Sequence, residues 1–148
     1  MDEESVAQYI LALPDVRFDT SPDGARFFFY GEEKMFPFAT LVNSDAHDQV
    51  SNLDRPGAFR LNIGVSRETF LSLFPDKGSA DYDYTAADVV MPHPDYGRLF
   101  WVCIVNPSEA TFDKARGLLG EAYDAARAKQ ARRDESERRR EGEQEPRG

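Results

Sequence analysis

The sequence predicts an α+β fold of two layers: a mostly antiparallel sheet of about five strands, helices on one face, and a long C-terminal helix. Three observations predict it. Phe59, Leu61, Ile63 and Val65 alternate with Arg60, Asn62 and Gly64, the period of a strand with two unlike faces. Phe112, Ala115, Leu119, Ala122, Tyr123 and Ala126 recur at helical spacing and form one apolar stripe. Short extended segments separated by Pro- and Gly-containing turns fill the first third of the chain, and helices at both ends frame a sheet of that kind.

The elements follow in order. Val6, Tyr9, Ile10 and Leu13 repeat at i, i+3, i+4 and i+7, with Glu3 and Glu4 near the positive helix end, and Pro14 stops that helix. Val16–Thr20 and Ala25–Tyr30 read as a hairpin across Ser21-Pro22-Asp23-Gly24, whose Pro and Gly supply turn dihedrals. Phe38–Val42 is a third strand and Phe59–Val65 a fourth. Ser66 is placed to cap a short helix running to Phe74, with Pro75 beyond it. Residues 76–97 read mainly as loop, with one helical turn near Ala86. Leu99–Val105 is continuously apolar and predicts a strand covered on both faces, with Trp101 largely buried. Asn106-Pro107-Ser108-Glu109 resembles a capping box that starts the long helix at Asn106. Gly117 and Gly120 within that helix suggest close packing against a neighbour.

Composition narrows the function classes. The chain has 148 residues, 41% hydrophobic and 30% charged, which suits one domain. Residues 126–148 carry eight Lys/Arg and six Asp/Glu, leaving ten Lys/Arg against twenty-one Asp/Glu in residues 1–125. The tail is therefore +2 and the body −11. Such a body repels phosphate backbones, so a nucleic-acid partner is not expected. No apolar run approaches the ~20 residues of a membrane span, and no membrane association is expected. The acidic start lacks the pattern of a secretory signal, and Cys103 is the one cysteine, so a cytoplasmic, reducing location is expected. Residues 1–131 are read as a single α+β domain and 132–148 as a charged, disordered tail, since that segment has almost nothing apolar to bury.

Three segments resemble a known family: RFFFYGEEKMFPFATLVNSD (26–45), SNLDRPGAFRLNIGVS (51–66) and VMPHPDYGRLFWVCIVNPSEATF (90–112). They resemble an uncharacterised bacterial family known as domain of unknown function 6194, over about residues 5–130. The family has no established activity, and the resemblance implies none. A more remote resemblance, of element order, is to the MmcQ/YjbR-like proteins, with Phe38-Ala39, Phe59 to Phe74 and Trp101 in similar places. It implies a two-layer α/β structure similar to secretion chaperones and to certain DNA-binding domains.

Candidate chemistry gathers in two places. Asn52, Asp54 and Arg55 precede Pro56-Gly57, and Arg60 and Asn62 project from the polar side of the fourth strand, where a guanidinium fork and an amide suit a carboxylate or phosphate group. Pairing of Asp54 with Arg55 or Arg60 is the alternative use of these groups. Met91-Pro92-His93-Pro94-Asp95-Tyr96-Gly97 holds His93 between two prolines at the start of the apolar strand, a rigid setting for recognition or proton transfer. Trp101 and the aromatic residues Phe27, Phe28, Phe29, Tyr30, Phe36 and Phe38 can line a pocket or fill a core. Asp45, His47, Asp48 and Asp54 share a connector but match no metal-loop spacing, so neither metal nor cofactor is expected.

The leading functional expectation is a non-enzymatic binding module for a small molecule or protein partner, with Asn52, Asp54, Arg55, Arg60, Asn62, His93, Tyr96 and Trp101 as candidate ligand contacts. Two other readings stand beside it. One is a small enzyme using His93 as general acid or base, with Asp54 or Asp95 in reach. The other is the nucleic-acid module that the MmcQ/YjbR resemblance implies.

Overall fold

A computed structural model of the chain describes residues 1–144. Helix α1 (Glu3–Leu11) is capped by Asp2, whose carboxylate accepts the Ser5 N–H. Six strands follow: β1 (Val16–Thr20), β2 (Arg26–Tyr30), β3 (Ala39–Val42), β4 (Arg60–Gly64), β5 (Met91–Pro92) and β6 (Trp101–Val105). Helix α2 (Arg67–Leu73) lies between β4 and β5, and α3 (Glu109–Gln144) closes the chain. The strands form one sheet in the order β1-β2-β3-β4-β6-β5, and every neighbouring pair is antiparallel. The fold class is the α+β arrangement that the alternation and the helical stripe predict, with one strand more.

Alternation sorts the side chains between the two faces. Phe28, Ala39, Leu41, Leu61, Ile63, Val102 and Ile104 pack against Val6 and Ile10 of α1, Phe70 of α2, and Phe112, Ala115, Leu119, Ala122 and Tyr123 of α3. Tyr123 ties its helix to the α1–β1 corner by donating its hydroxyl to the Pro14 carbonyl at 2.8 Å. The opposite face carries Phe27, Thr40, Val42, Arg60 and Asn62, and among the described residues no helix covers it.

Several local expectations are corrected. Leu99 lies outside the strand, in a single 3-10 turn (Gly97–Leu99), and is exposed; Phe100 then adopts φ 66° and turns the chain into β6. Trp101 is the least covered residue of β6, because its side chain lines a cavity, but it stays largely buried as expected, and Val102–Val105 are fully buried. The stretch before it contains β5, whose two residues are too few to leave a periodic signal. Asn106 does not cap α3. Its side chain accepts the Phe59 N–H and donates to the Gly57 carbonyl, and Ser108 takes the capping position by accepting the Thr111 N–H. Residues 132–144, expected to be disordered, continue α3 with exposed side chains at least to residue 142. Their Glu, Arg and Gln are good helix formers, and Arg139 pairs with Glu135 one turn back. The last four residues of the expected tail lie outside the described residues.

Gly117 and Gly120 do not serve close packing, since a methyl group at either would meet nothing within 4 Å. Replacing both with Ala is therefore expected to stabilise the protein by about 1 kcal/mol each, the helix-propensity difference. Chemical denaturation of the double variant should show a raised midpoint at an unchanged slope; an unchanged or lowered midpoint would mean that these positions meet a neighbour after all.

Candidate functional site

The site begins with the alternation of β4. Leu61 and Ile63 enter the helix-side core, which sends Arg60, Asn62 and Gly64 to the other face. Register supplies their neighbours: Val42 and Val105 flank Arg60, Thr40 and Cys103 flank Asn62, and Trp101 lies opposite Gly64. The last pair is specific, because a Cβ on Gly64 would meet Trp101 Cε2 at 3.0 Å; the indole occupies the space a side chain would need. Three connections, 31–38, 43–58 and 93–99, rise around this face and wall a cavity of about 500 Å³.

Arg60 is 1% exposed, so its charge needs compensation. Asp48 provides it through a two-pronged pair, with Nη2 to Oδ2 at 2.7 Å and Nη1 to Oδ1 at 3.1 Å. Nη1 also donates to Ser51 Oγ and Nε to Asn62 Oδ1, while the Asn62 amide donates to Thr40 Oγ1. Burial raises the Asp48 carboxyl, yet the Arg60 hydrogen bonds and charge outweigh it and leave the group below the usual carboxylate range. The result is a compensated polar network set into the sheet.

His93 stands beside this network and is 6% exposed. Its Nδ1 accepts the backbone N–H groups of Asp95 and Tyr96, at 3.1 and 3.0 Å, so the ring nitrogen closes its own turn. The Tyr96 ring lies 4.9 Å away. Burial first and the Arg60 charge second lower the imidazole pKa to about 4, against an opposing contribution from Asp48. At neutral pH the ring is therefore uncharged, and its proton sits on Nε2, because Nδ1 is an acceptor.

The apolar wall comes from Phe27, Phe29, Phe36, Leu99 and Trp101. The 31–38 lip is pinned to α3: Glu33 pairs with Arg133, accepts the Phe36 N–H at 2.9 Å, and Lys129 lies 4.6 Å over the Phe36 ring. The helix segment beyond the sheet thus fixes one side of the cavity mouth.

Of the eight candidate contacts, Arg60, Asn62, His93, Tyr96 and Trp101 line this cavity. Asn52, Asp54 and Arg55 do not. Asp54 accepts the Asp45 N–H within the connector, Arg55 donates to the Thr85 carbonyl, and Asn52 sits at φ 51° in an exposed turn. The expected pairing of Asp54 with Arg55 or Arg60 is replaced by the Asp48–Arg60 pair. Asp48 attracts notice in the sequence only as one of four connector residues, and those four now separate: His47 pairs with Asp23, Asp48 with Arg60, and Asp45 and Asp54 bond connector backbone. Ser51, Thr40 and the rim residues Met35 and Leu99 carry no sequence signal of a site; only the register and the loop paths bring them in.

Comparison with known families gives one match. Residues 1–135 fit the family described as Family of unknown function (DUF6194), and the chain belongs to it. No curated protein and no solved structure matches. The MmcQ/YjbR resemblance stays a likeness of element order. No helix of the described residues is long and apolar enough to cross a membrane.

Proposed function

We propose that the protein is a non-enzymatic binding module of the cytoplasm whose uncovered sheet face holds a small ligand. The observation that carries this reading is the cavity itself: about 500 Å³, within the size range of small-molecule sites, apolar in its walls, with a few convergent polar groups at its floor. Four of the large apolar side chains left exposed, Met35, Phe36, Tyr96 and Leu99, gather at its mouth. Recognition is favoured over proton transfer. His93 is neutral at pH 7, its Nδ1 is committed to backbone, and neither Asp54 nor Asp95 offers its carboxylate to the ring. An imidazole with a pKa near 4 is a weak base and is scarcely protonated for acid catalysis. The single buried Cys103, with its thiol pushed up to about 12, fits a reducing compartment as an inert packing group.

Trp101 is the one tryptophan and lines the cavity, so its fluorescence reports on this site alone. A thermal-shift screen of metabolite-sized molecules is expected to yield compounds that raise Tm and also change Trp101 emission. Stabilising compounds that leave the emission untouched, or a diverse library that moves neither reading, would contradict the proposal.

A further inference from the structure

The polar groups of the cavity define which ligand chemistry it can accept, and this step rests on the binding reading above. Arg60 has five N–H donors, and four are spent on Asn62, Ser51 and the two oxygens of Asp48. Its positive charge is compensated where it stands. A ligand carboxylate or phosphate could take the guanidinium in a two-pronged grip only by displacing Asp48, leaving that carboxylate half-buried and unpaired. The expectation of an anionic ligand, natural for an exposed arginine fork, thus meets a fork already filled. A cationic ligand fares no better at the floor, where the Asp48 carboxylate is already held by Arg60 and His93 presents a donor; Asp95, the other carboxylate lining the cavity, is exposed to solvent.

His93 is the opposite case. The ring is more than nine-tenths buried and fixed in place by two backbone donors to Nδ1. Among the described residues no group accepts from Nε2, and no fully buried side-chain polar atom lacks a partner, so Nε2 opens on the cavity. A rigid, neutral N–H donor beside walls of Phe27, Phe29, Phe36 and Trp101 calls for a particular complement. We infer that the cavity takes an uncharged, ring-sized apolar ligand that presents a carbonyl-type hydrogen-bond acceptor to His93 Nε2. The aromatic walls supply the contact area, and the single donor sets the orientation.

Four probes matched in non-hydrogen atoms separate the possibilities: acetophenone, isopropylbenzene, benzoate and 2-phenylethylammonium, each titrated at pH 7 into the full chain while the Trp101 indole and His93 ring signals are followed by NMR. Acetophenone is expected to bind most tightly, about fivefold or more over isopropylbenzene, the worth of one neutral hydrogen bond. Benzoate and the ammonium should bind more weakly still. In the His93→Phe variant the advantage of the ketone over isopropylbenzene should disappear. If benzoate or the ammonium leads, or if isopropylbenzene equals the ketone on the wild-type chain, the ligand class is wrong while the cavity remains the binding site. If none of the four moves Trp101, the binding reading itself fails, and this inference with it. The wild-type ranking decides the matter alone should the His93→Phe chain fail to fold.

Discussion

Replacing Asp48 with Ala is expected to cost the fold about 3–5 kcal/mol, the loss typical of a buried charge deprived of its partner. Arg60 stays in place in that variant, 1% exposed, with only Ser51 and Asn62 to satisfy a full positive charge. The cost comes from stranding the guanidinium, so it should shrink when Arg60 is removed as well. An Asp48→Ala/Arg60→Met double variant is expected to recover most of the loss. A remainder of about 1–2 kcal/mol reflects Asn62 Oδ1 and Ser51 Oγ, which then lack a donor. A surface pair provides the contrast. Arg116 and Asp113 meet at 2.6 Å but are half or more exposed, and Asp113→Ala should cost well under about 1 kcal/mol. Urea denaturation of the four chains measures all of this. An Asp48→Ala protein as stable as wild type would mean that solvent, and not Asp48, compensates Arg60.

The second large effect is a pH dependence set by His93. In the unfolded chain its imidazole titrates near 6.5, whereas in the folded protein burial and Arg60 hold it at about 4. Between those values the unfolded chain binds a proton that the native state refuses, so unfolding gains as pH falls and stability rises with pH. The contribution is fully present above about pH 6.5 and is lost progressively down to pH 4. Its size is about 3 kcal/mol, since each tenfold difference in proton affinity between the two states is worth about 1.36 kcal/mol. Carboxylates held below their usual range, Asp48 and Glu33 among them, add their own loss at lower pH as they are protonated. The interval from pH 6.5 to 5 is therefore the diagnostic one. There, the His93→Gln variant, which keeps an acceptor for the Asp95 and Tyr96 amides and does not titrate, should lose much less stability than wild type. Parallel losses in the two chains would assign the dependence to other groups.

Much of the frame was legible because it is local. The Ser21–Gly24 turn sets the first hairpin, the alternation of β4 decides both faces of the sheet, and the apolar stripe of α3 names its buried residues without reference to anything distant. What escaped was tertiary. Asn106 has every local qualification for a cap, but Phe59 and Gly57 claim its side chain across the sheet end. The glycines of α3 look like packing devices and face open space, because nothing in a helix sequence tells which side lacks a neighbour. The Leu99–Val105 run is equally apolar throughout, and only the 3-10 turn and the left-handed Phe100 divide it into a rim residue and a strand.

The candidate site divides in the same way. Arg60, Asn62, His93, Tyr96 and Trp101 were reachable from strand parity and from the stiffness of Pro92-His93-Pro94. Asp48 was not, since its pairing with Arg60 spans a connector whose path no periodicity dictates. That one unforeseen contact changes the chemistry, from a free guanidinium suited to anions to a neutral floor with a histidine donor.

The protonation state of His93 is the most direct test of a neutral donor at the cavity floor. A long-range proton–nitrogen correlation spectrum of the histidine side chains at pH 7 distinguishes the two neutral tautomers from each other and from the cation. The geometry predicts a neutral His93 ring protonated at Nε2, with Nδ1 bare and accepting the Asp95 and Tyr96 amides, unchanged on acidification to pH 5. A proton on Nδ1, or a doubly protonated ring at pH 7, would contradict it, for the cavity would then offer either an acceptor or a positive charge in place of the neutral donor.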